Sequence, residues 1–175
     1  RRPLGDLYWF HCASLGEYEQ AKPLIAKFNS PPDTSIVITF FSPSGYDIIK
    51  PTQTDNIYIS YLPLESKKAL TAFIKQIKPT KVFWIKYELW LLALTAIFKR
   101  EIPAYLVSAN FGKDHLITKP WGKPWKRLVT QFKHIFVQNE TVQSNLQKLN
   151  IDSTVAGDTR FDNVKDIANT PYANP

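Results

Sequence analysis

The sequence has no second cysteine and no long apolar run, and we expect no secretion signal. Cys12 has no other cysteine to bridge and lies in the apolar run 8–13, so we expect a buried free thiol and no disulfide. The longest apolar stretch, 89–98, is about half of the roughly 20 residues that cross a bilayer and predicts a core helix. Arg1 and Arg2 precede Pro-Leu-Gly-Asp rather than an apolar segment, so we expect a soluble, untargeted chain.

The common cofactor motifs are also missing. The sequence contains no P-loop, no Gly-x-Gly-x-x-Gly run, no CxxC pair and no His-Glu-x-x-His, and its histidines are scattered at His11, His115 and His134. Dinucleotide, zinc-hydrolase and P-loop functions therefore lack their residues. We predict that the protein uses neither a cofactor nor a metal.

Acidic residues are outnumbered, 15 against 22 Lys and Arg, which leaves a net charge of +7. This excess is typical either of a protein with a polyanionic partner or of a solvated lysine-rich surface. Segment 119–127 interleaves Trp121 and Trp125 with four basic side chains. That composition suits lipid head groups or sugar phosphates, but both tryptophans are equally compatible with packing on the next helix. Nucleic acid is the poorer match, and we predict no nucleic-acid partner.

Short β-branched and aromatic runs alternate with amphipathic segments, which predicts repeated βα units and a mainly parallel, Rossmann-like α/β sheet in three layers. We expect one domain over residues 1–168 and a linker at 169–175, where the sequence is polar and proline-bearing. The predicted strands are 7–13, 35–41, 57–61, 81–85, 104–107, 134–137 and 153–156. The predicted helices are 15–28, 44–49, 66–77, 89–100, 124–132 and 140–149.

Ligands of open α/β sheets bind beyond the carboxyl ends of the strands, so the residues that follow each strand are the candidates. Four segments qualify, at 14–17, 42–45, 86–88 and 108–115, and we expect all four to face one cleft. The candidate site residues are Ser14, Gly16, Glu17, Ser42, Ser44, Gly45, Lys86, Glu88, Asn110 and Lys113.

Glu17 has two interpretations. Ser14-x-x-Glu17 before an apolar helix is a capping box, in which the carboxylate accepts from the Ser14 amide. The helix start should also lower the pKa of Glu17, which would weaken it as a base at neutral pH. A catalytic role therefore needs support from elsewhere.

The other segments have similar alternatives. Glu88 lies in a mostly apolar stretch, where it either complements the dipole of a helix's first turn or needs a donor such as Lys86. Ser42-Pro-Ser-Gly45 predicts an N-cap with proline at the first helical position, and the same amides are able to hold an anion.

Several separated motifs together resemble the N-terminal half of 3-deoxy-D-manno-octulosonic acid (Kdo) transferases. They extend over most of the chain, from residue 8 to residue 162. The motifs are Trp-Phe-His-Cys-Ala-Ser-Leu-Gly-Glu-Tyr-Glu at 9–19, Thr-Phe-Phe-Ser-Pro-Ser-Gly-Tyr at 39–46, Tyr-Leu-Pro-Leu at 61–64, Lys-Tyr-Glu-Leu-Trp at 86–90, Val-Ser-Ala-Asn at 107–110, Phe-Val-Gln-Asn-Glu at 136–140 and Ala-Gly-Asp-Thr-Arg-Phe-Asp at 156–162.

The resemblance implies a glycosyltransferase B architecture, in which this half binds the acceptor and an absent C-terminal domain binds most of the donor, CMP-Kdo. It implies transfer of Kdo to a lipid A precursor in lipopolysaccharide biosynthesis, at the cytoplasmic face of the bacterial inner membrane. Glu17 matches the family's proposed general base for an inverting displacement, and Glu88 matches the second acidic position. The isolated chain is accordingly expected to be inactive.

One segment departs from the family pattern. Many members carry an arginine- and serine-rich stretch after the Ala-Asn pair, whereas this chain has Phe-Gly-Lys-Asp-His-Leu-Ile-Thr-Lys at 111–119. Lys113, His115 and Lys119 are the candidates to replace those arginines, and Arg160 is not assigned a catalytic role. The alternatives to a Kdo transferase are another two-domain glycosyltransferase or sugar-nucleotide epimerase, or a non-enzymatic basic module that binds membrane or nucleic acid.

Overall fold

Seven parallel strands form one sheet in the computed structural model, which describes residues 5–29, 33–86 and 88–158. The strand order is β3-β2-β1-β4-β5-β6-β7. The strands are β1 (Leu7–His11), β2 (Ser35–Phe40), β3 (Ile57–Tyr61), β4 (Lys81–Ile85), β5 (Ala104–Ala109), β6 (His134–Val137) and β7 (Thr154–Val155). The predicted parallel α/β fold is confirmed.

Helices alternate with the strands. They are α1 (Leu15–Phe28), α2 (Pro43–Ile49), α3 (Lys67–Ile77), α4 (Leu91–Phe98), α5 (Lys123–Val129) and α6 (Glu140–Gln147), with short 3-10 turns at Lys50–Thr52, Leu116–Thr118 and Pro120–Gly122. Ser42 caps α2 through its hydroxyl and Pro43 is the first helical residue, as predicted. Among the helices, α4 begins two residues later and ends two residues earlier than expected, and α5 ends three residues earlier.

Both faces of the sheet are covered, which explains why the central strands are almost wholly apolar. Trp9, on one face of β1, belongs to a core shared with α3, α4, α5 and α6. Phe10, on the other face, belongs to a core shared with α1 and α2. The free thiol of Cys12 is buried in this second core, as expected, and burial raises its pKa. The apolar run predicted as a core helix becomes α4, with Leu94 and Ile97 fully buried.

The chain reverses direction across the sheet at its centre. From β1 it moves outward through β2 to β3, then returns and continues on the other side of β1 from β4 to β7. The connections that leave β1 and β4 therefore diverge, and a crevice opens beyond the carboxyl ends of these two neighbouring strands.

Two glycines near this crevice provide a matched test of packing. A Cβ at Gly45 would come within 2.4 Å of the buried Phe40 ring and 3.0 Å of the Leu15 amide nitrogen, whereas a Cβ at Gly16 would meet no atom within 4 Å. Overpacking should make Gly45→Ala lower the free energy of unfolding by about 1–3 kcal/mol. Gly16→Ala, in the first turn of α1, should leave it unchanged or raise it slightly. Urea unfolding of both variants measures the difference, and equal stability would contradict the packing role of Gly45.

Candidate active site

The candidate residues follow four adjacent strands. Because β2, β1, β4 and β5 are neighbours and parallel, the segments that follow them emerge at one edge of the sheet, as expected. Two backbone bonds tie the first two loops together: the Ala13 carbonyl accepts from the amides of Phe41, at 3.2 Å, and Ser42, at 2.8 Å. This edge is called the strand-end rim below.

Glu17 is buried at the rim, with 4% of its surface exposed. Its Oε2 accepts a hydrogen bond from the Ala13 amide. The Ser14 amide also interacts with the carboxylate, and its effect on the pKa of Glu17 is smaller than that of the Ala13 amide. The reciprocal half of the predicted capping box is missing, because the Ser14 hydroxyl accepts from none of the helix amides. Glu17 therefore holds the chain at the start of α1 without forming the complete box.

The pKa of Glu17 is raised from its ordinary value of 4.5 to about 7, so the predicted lowering is wrong. Burial is the main cause, since removing a carboxylate from water disfavours its charged form. The negative charge of Glu88 raises the pKa further, whereas the Ala13 amide and the Lys86 ammonium oppose the rise. The desolvation of Glu17 therefore raises its pKa by more than the amides at the helix start lower it.

Glu88 and Lys86 thus act on Glu17 from the loop after β4. Glu88 is exposed to solvent, which satisfies its carboxylate without a protein donor. It is not a first-turn acid, because α4 begins only at Leu91. Its backbone carbonyl is anchored by the Trp84 indole N–H at 2.7 Å and by the Trp90 amide at 3.2 Å. The structure therefore brings the two acidic candidates and Lys86 within electrostatic reach of one another.

The backbone is strained at the rim on two neighbouring strands. Lys86, directly after β4, has φ 66°, and Ser108, in the irregular end of β5, has φ 55°. Residues other than glycine seldom adopt this left-handed conformation, and such strain is concentrated at functional sites. Hydrogen bonds hold both: the Lys86 amide donates to the Val107 carbonyl at 2.8 Å, and Gln138 Nε2 donates to Ser108 Oγ at 3.1 Å.

The remaining candidate residues differ in their hydrogen bonds and in their exposure to solvent. Ser42 Oγ and Ser44 Oγ lie 2.8 Å apart, and Ser42 Oγ also accepts from the Ser44 amide at 3.3 Å. Gly45 is buried, and its amide donates to the Ser42 carbonyl at 3.2 Å. Asn110, directly after β5, and Lys113 are exposed. Arg160 lies outside the described residues.

The two tryptophans of the basic segment have different surroundings. Trp125, in the first turn of α5, packs against the core, whereas Trp121 is 68% exposed. Of the two interpretations, core packing therefore applies to Trp125 and surface exposure to Trp121. Phe41 after β2 and Leu64 after β3 are also exposed, at 56% and 86%. The rim consequently carries apolar side chains in three of its loops.

Cations line two grooves in the helical layer formed by α3, α4 and α5. A groove of about 620 Å³ between α4 and α5 is lined by Lys99, Lys123 and Arg127. A second groove, of about 410 Å³, lies between α3 and α4 and adds Lys67 and Arg100. The positive charge of the sequence is thus concentrated partly on this face.

Glu65 is a site feature that sequence reasoning missed. Its Oε1 accepts from the Leu92 amide at 2.6 Å and caps the start of α4, where Trp90 offers no side-chain cap. The donor is distant in sequence, so no local capping pattern signals the bond.

Residues 5–29, 33–86 and 88–158 offer neither a membrane-spanning helix nor a cluster of metal ligands. Within these residues no helix has the length and apolar character needed to cross a membrane. The same residues contain no cluster of three or more His, Cys, Asp or Glu side chains suited to holding a metal ion.

Comparison with known proteins links the chain to one family. A family model described as 3-deoxy-D-manno-octulosonic-acid transferase (kdotransferase) matches residues 1–163. The 3-deoxy-D-manno-octulosonic acid transferase of Haemophilus influenzae is 32% identical over 103 residues, which are 58% of this chain and 24% of that protein. The probable mitochondrial 3-deoxy-D-manno-octulosonic acid transferase of Arabidopsis thaliana is 31% identical over 124 residues, 70% of this chain and 27% of that protein.

Solved structures share the fold. A crystal structure of UDP-N-acetylglucosamine 2-epimerase superimposes with a TM-score of 0.69 at 15% identity, over 98% of this chain and 53% of that one. The chain therefore spans about half of this structural relative, and the matches span about a quarter of the two transferases.

The raised pKa of Glu17 predicts a pH-dependent stability. Below pH 4 the folded and unfolded states both hold the proton. Between the ordinary value of 4.5 and about 7 only the folded state keeps it, so the free energy of unfolding falls as the pH rises. The total loss is about 3 kcal/mol. Glu17→Gln cannot ionise, so the stability of the variant relative to wild type should rise by this amount between pH 4 and pH 8.

Urea unfolding at the two pH values measures this double difference. Glu140→Gln, which replaces an exposed acid in the first turn of α6, is the control and should show little of the effect. An identical pH dependence of wild type and Glu17→Gln would show that the carboxylate titrates normally.

Proposed function

The chain belongs to the Kdo transferase family, and from that premise we propose that it is the acceptor-binding half of an enzyme that transfers Kdo from CMP-Kdo to a lipid A precursor. A further Rossmann-like domain would bind most of the donor. The observation that carries this proposal is the buried Glu17 carboxylate, whose pKa near 7 suits a general base at neutral pH.

Glu17 acts on the acceptor hydroxyl. The carboxylate takes the hydroxyl proton as the oxygen attacks the anomeric carbon of CMP-Kdo. The bond from that carbon to the phosphate oxygen breaks on the opposite side, CMP leaves with the electron pair, and the configuration inverts. A base with a pKa near the working pH combines a useful ionised fraction with enough basicity to accept the proton.

Acceptor access is supported at the start of α1. A Cβ built at Gly16 would meet no neighbouring atom within 4 Å, so a sugar ring has room to approach the chain beside Glu17. Lys86, Ser42, Ser44, Asn110 and Lys113 are the groups proposed to bind the acceptor's phosphates and hydroxyls. Gly45 contributes through its backbone, and Glu88 tunes Glu17 through its charge.

The rim is the part of this half that we propose to face the cytoplasmic membrane surface. A lipid acceptor has to be reached at the membrane, and the rim presents the exposed Phe41, Leu64 and Trp121. Lysines on the adjoining helices, including Lys67 and Lys123, are exposed as well. Aromatic and apolar side chains among cations are typical of proteins that bind anionic lipid head groups.

Replacement of the base provides the kinetic test. In the complete enzyme, Glu17→Gln should lower kcat by at least about 10²-fold, because the amide cannot accept the acceptor proton. In the wild-type enzyme kcat/KM should rise through pH 7 as Glu17 ionises. Transfer from CMP-Kdo to a tetraacyl lipid A precursor is the assay.

Two controls accompany it. Glu140→Gln should retain wild-type turnover, and the 175-residue chain alone should show none. A Glu17→Gln enzyme with normal kcat would mean that Glu17 only holds the helix start, and transfer by the chain alone would contradict the division of labour between domains.

Membrane contact is tested with the exposed tryptophan. Trp121→Ser should weaken binding of the chain to vesicles that contain phosphatidylglycerol by about 10-fold, which corresponds to about 1.4 kcal/mol of interfacial burial. Tyr58→Ser is the matched control, since Tyr58 on the edge strand β3 is 59% exposed. Co-sedimentation measures binding, and equal losses for both variants would exclude a specific role for Trp121.

A further inference from the structure

Buried polar contacts link the three central strands next to Glu17 and Glu88. His11 on β1 is the direct register partner of Thr39 on β2 and of Trp84 on β4. His11 Nδ1 lies 3.0 Å from Thr39 Oγ1, and the same hydroxyl accepts from the Trp9 indole N–H at 2.8 Å. The Thr39 hydroxyl therefore fixes the orientation of the imidazole.

The imidazole in turn packs on the side chain that holds the acidic loop. The ring centroids of His11 and Trp84 are 4.2 Å apart, at an interplanar angle of 42°. The Trp84 indole N–H then donates to the Glu88 carbonyl at 2.7 Å. A continuous path of contacts thus runs from Thr39 through His11 and Trp84 to the Glu88 peptide.

Burying His11 at this position costs folding free energy, so stability alone does not account for the residue. It is fully buried, and its Nε2 has no hydrogen-bond partner among the described residues. Burial lowers its pKa to about 3, against an opposing contribution from the Thr39 backbone, so the ring is neutral at physiological pH. An apolar ring would fill the space without leaving a buried polar atom unsatisfied.

We infer that His11 is a positioning residue for the carboxylate pair: held by Thr39, its ring sets the Trp84 indole that keeps the Glu88 loop beside Glu17. The inference deepens the proposed function and rests on it for its catalytic meaning. The positioning itself is a property of this chain and is measurable without activity.

The titration of Glu17 reports on that positioning. The titratable or charged groups that interact with Glu17 are Glu88 and Lys86 after β4 and the Cys12 thiol after β1. The effect of Glu88 exceeds that of Lys86. A released loop would withdraw both charges and admit water, so the pKa of Glu17 would fall.

The experiment is a side-chain ¹³C NMR titration of Glu17 in the 175-residue chain. His11→Phe keeps an aromatic ring but removes both ring nitrogens. Thr39→Val keeps the volume but removes the hydroxyl, and Thr39→Ser restores it. Both His11→Phe and Thr39→Val should lower the pKa of Glu17 toward the value in Glu88→Gln, which removes the neighbouring charge outright. Thr39→Ser should titrate like wild type.

Two further variants keep the test decisive. Trp84→Phe removes the indole N–H that binds the Glu88 carbonyl and puts a smaller ring in its place, and it should shift the titration even if His11→Phe fails to fold. Phe132→Leu makes a comparable core cavity below α5, against Phe98, and should lower stability without moving the titration. An unchanged Glu17 pKa in the folded variants, or an equal shift in Phe132→Leu, would overturn the inference.

Activity separates this inference from the proposed function. In the complete enzyme, Thr39→Val should lower kcat and move the acid limb of the kcat/KM profile by the same pKa change, with Thr39→Ser restoring both. A wild-type enzyme that transferred no Kdo would refute the proposed function and leave the NMR result standing. A normal profile in Thr39→Val would refute the positioning role.

Discussion

The burial of one carboxylate at the end of the central strand is the constraint on which the site depends. Glu17 has little contact with water, so its neutral form is favoured and its pKa approaches 7. The Ala13 amide and Lys86 limit the rise, and the charge of Glu88 adds to it. A group balanced in this way is ionised in a substantial fraction of molecules at neutral pH and still basic enough to accept a proton.

The sheet supplies that environment through its strand order. Because β1 lies between β2 and β4, the loops after all three strands surround the start of α1. The loop after β4 turns sharply at Lys86, in a left-handed conformation, and is then pinned at the Glu88 carbonyl by Trp84. Backbone strain and a buried anchor are thus combined in the segment that sets the charge next to Glu17.

The surface around the rim matches the proposed acceptor. A phosphorylated glycolipid presents anionic groups and acyl chains together, and the chain presents exposed apolar side chains at the rim and cation-lined grooves between α3, α4 and α5. Trp121 and Leu64 reach solvent from loops at the same edge as Glu88. A site that opens toward the lipid surface would let the sugar enter the crevice while the chains remain in the membrane.

The sequence by itself determined the helices and strands of the fold, because apolar residues recur along the chain with the period of the helix or strand whose face is buried. The strand-end candidates and the core helix α4 could be predicted in this way, and the cap at Ser42 could be predicted from the serine-proline pair at the helix start. Tertiary structure alone decided whether the pKa of Glu17 is raised or lowered, since the desolvation of its carboxylate depends on which residues cover the start of α1. It also decided where α4 begins, because Trp84 of the preceding strand holds the Glu88 carbonyl outside the helix. Trp121 and Trp125 have similar neighbours in sequence, and only packing made one exposed and the other part of the core.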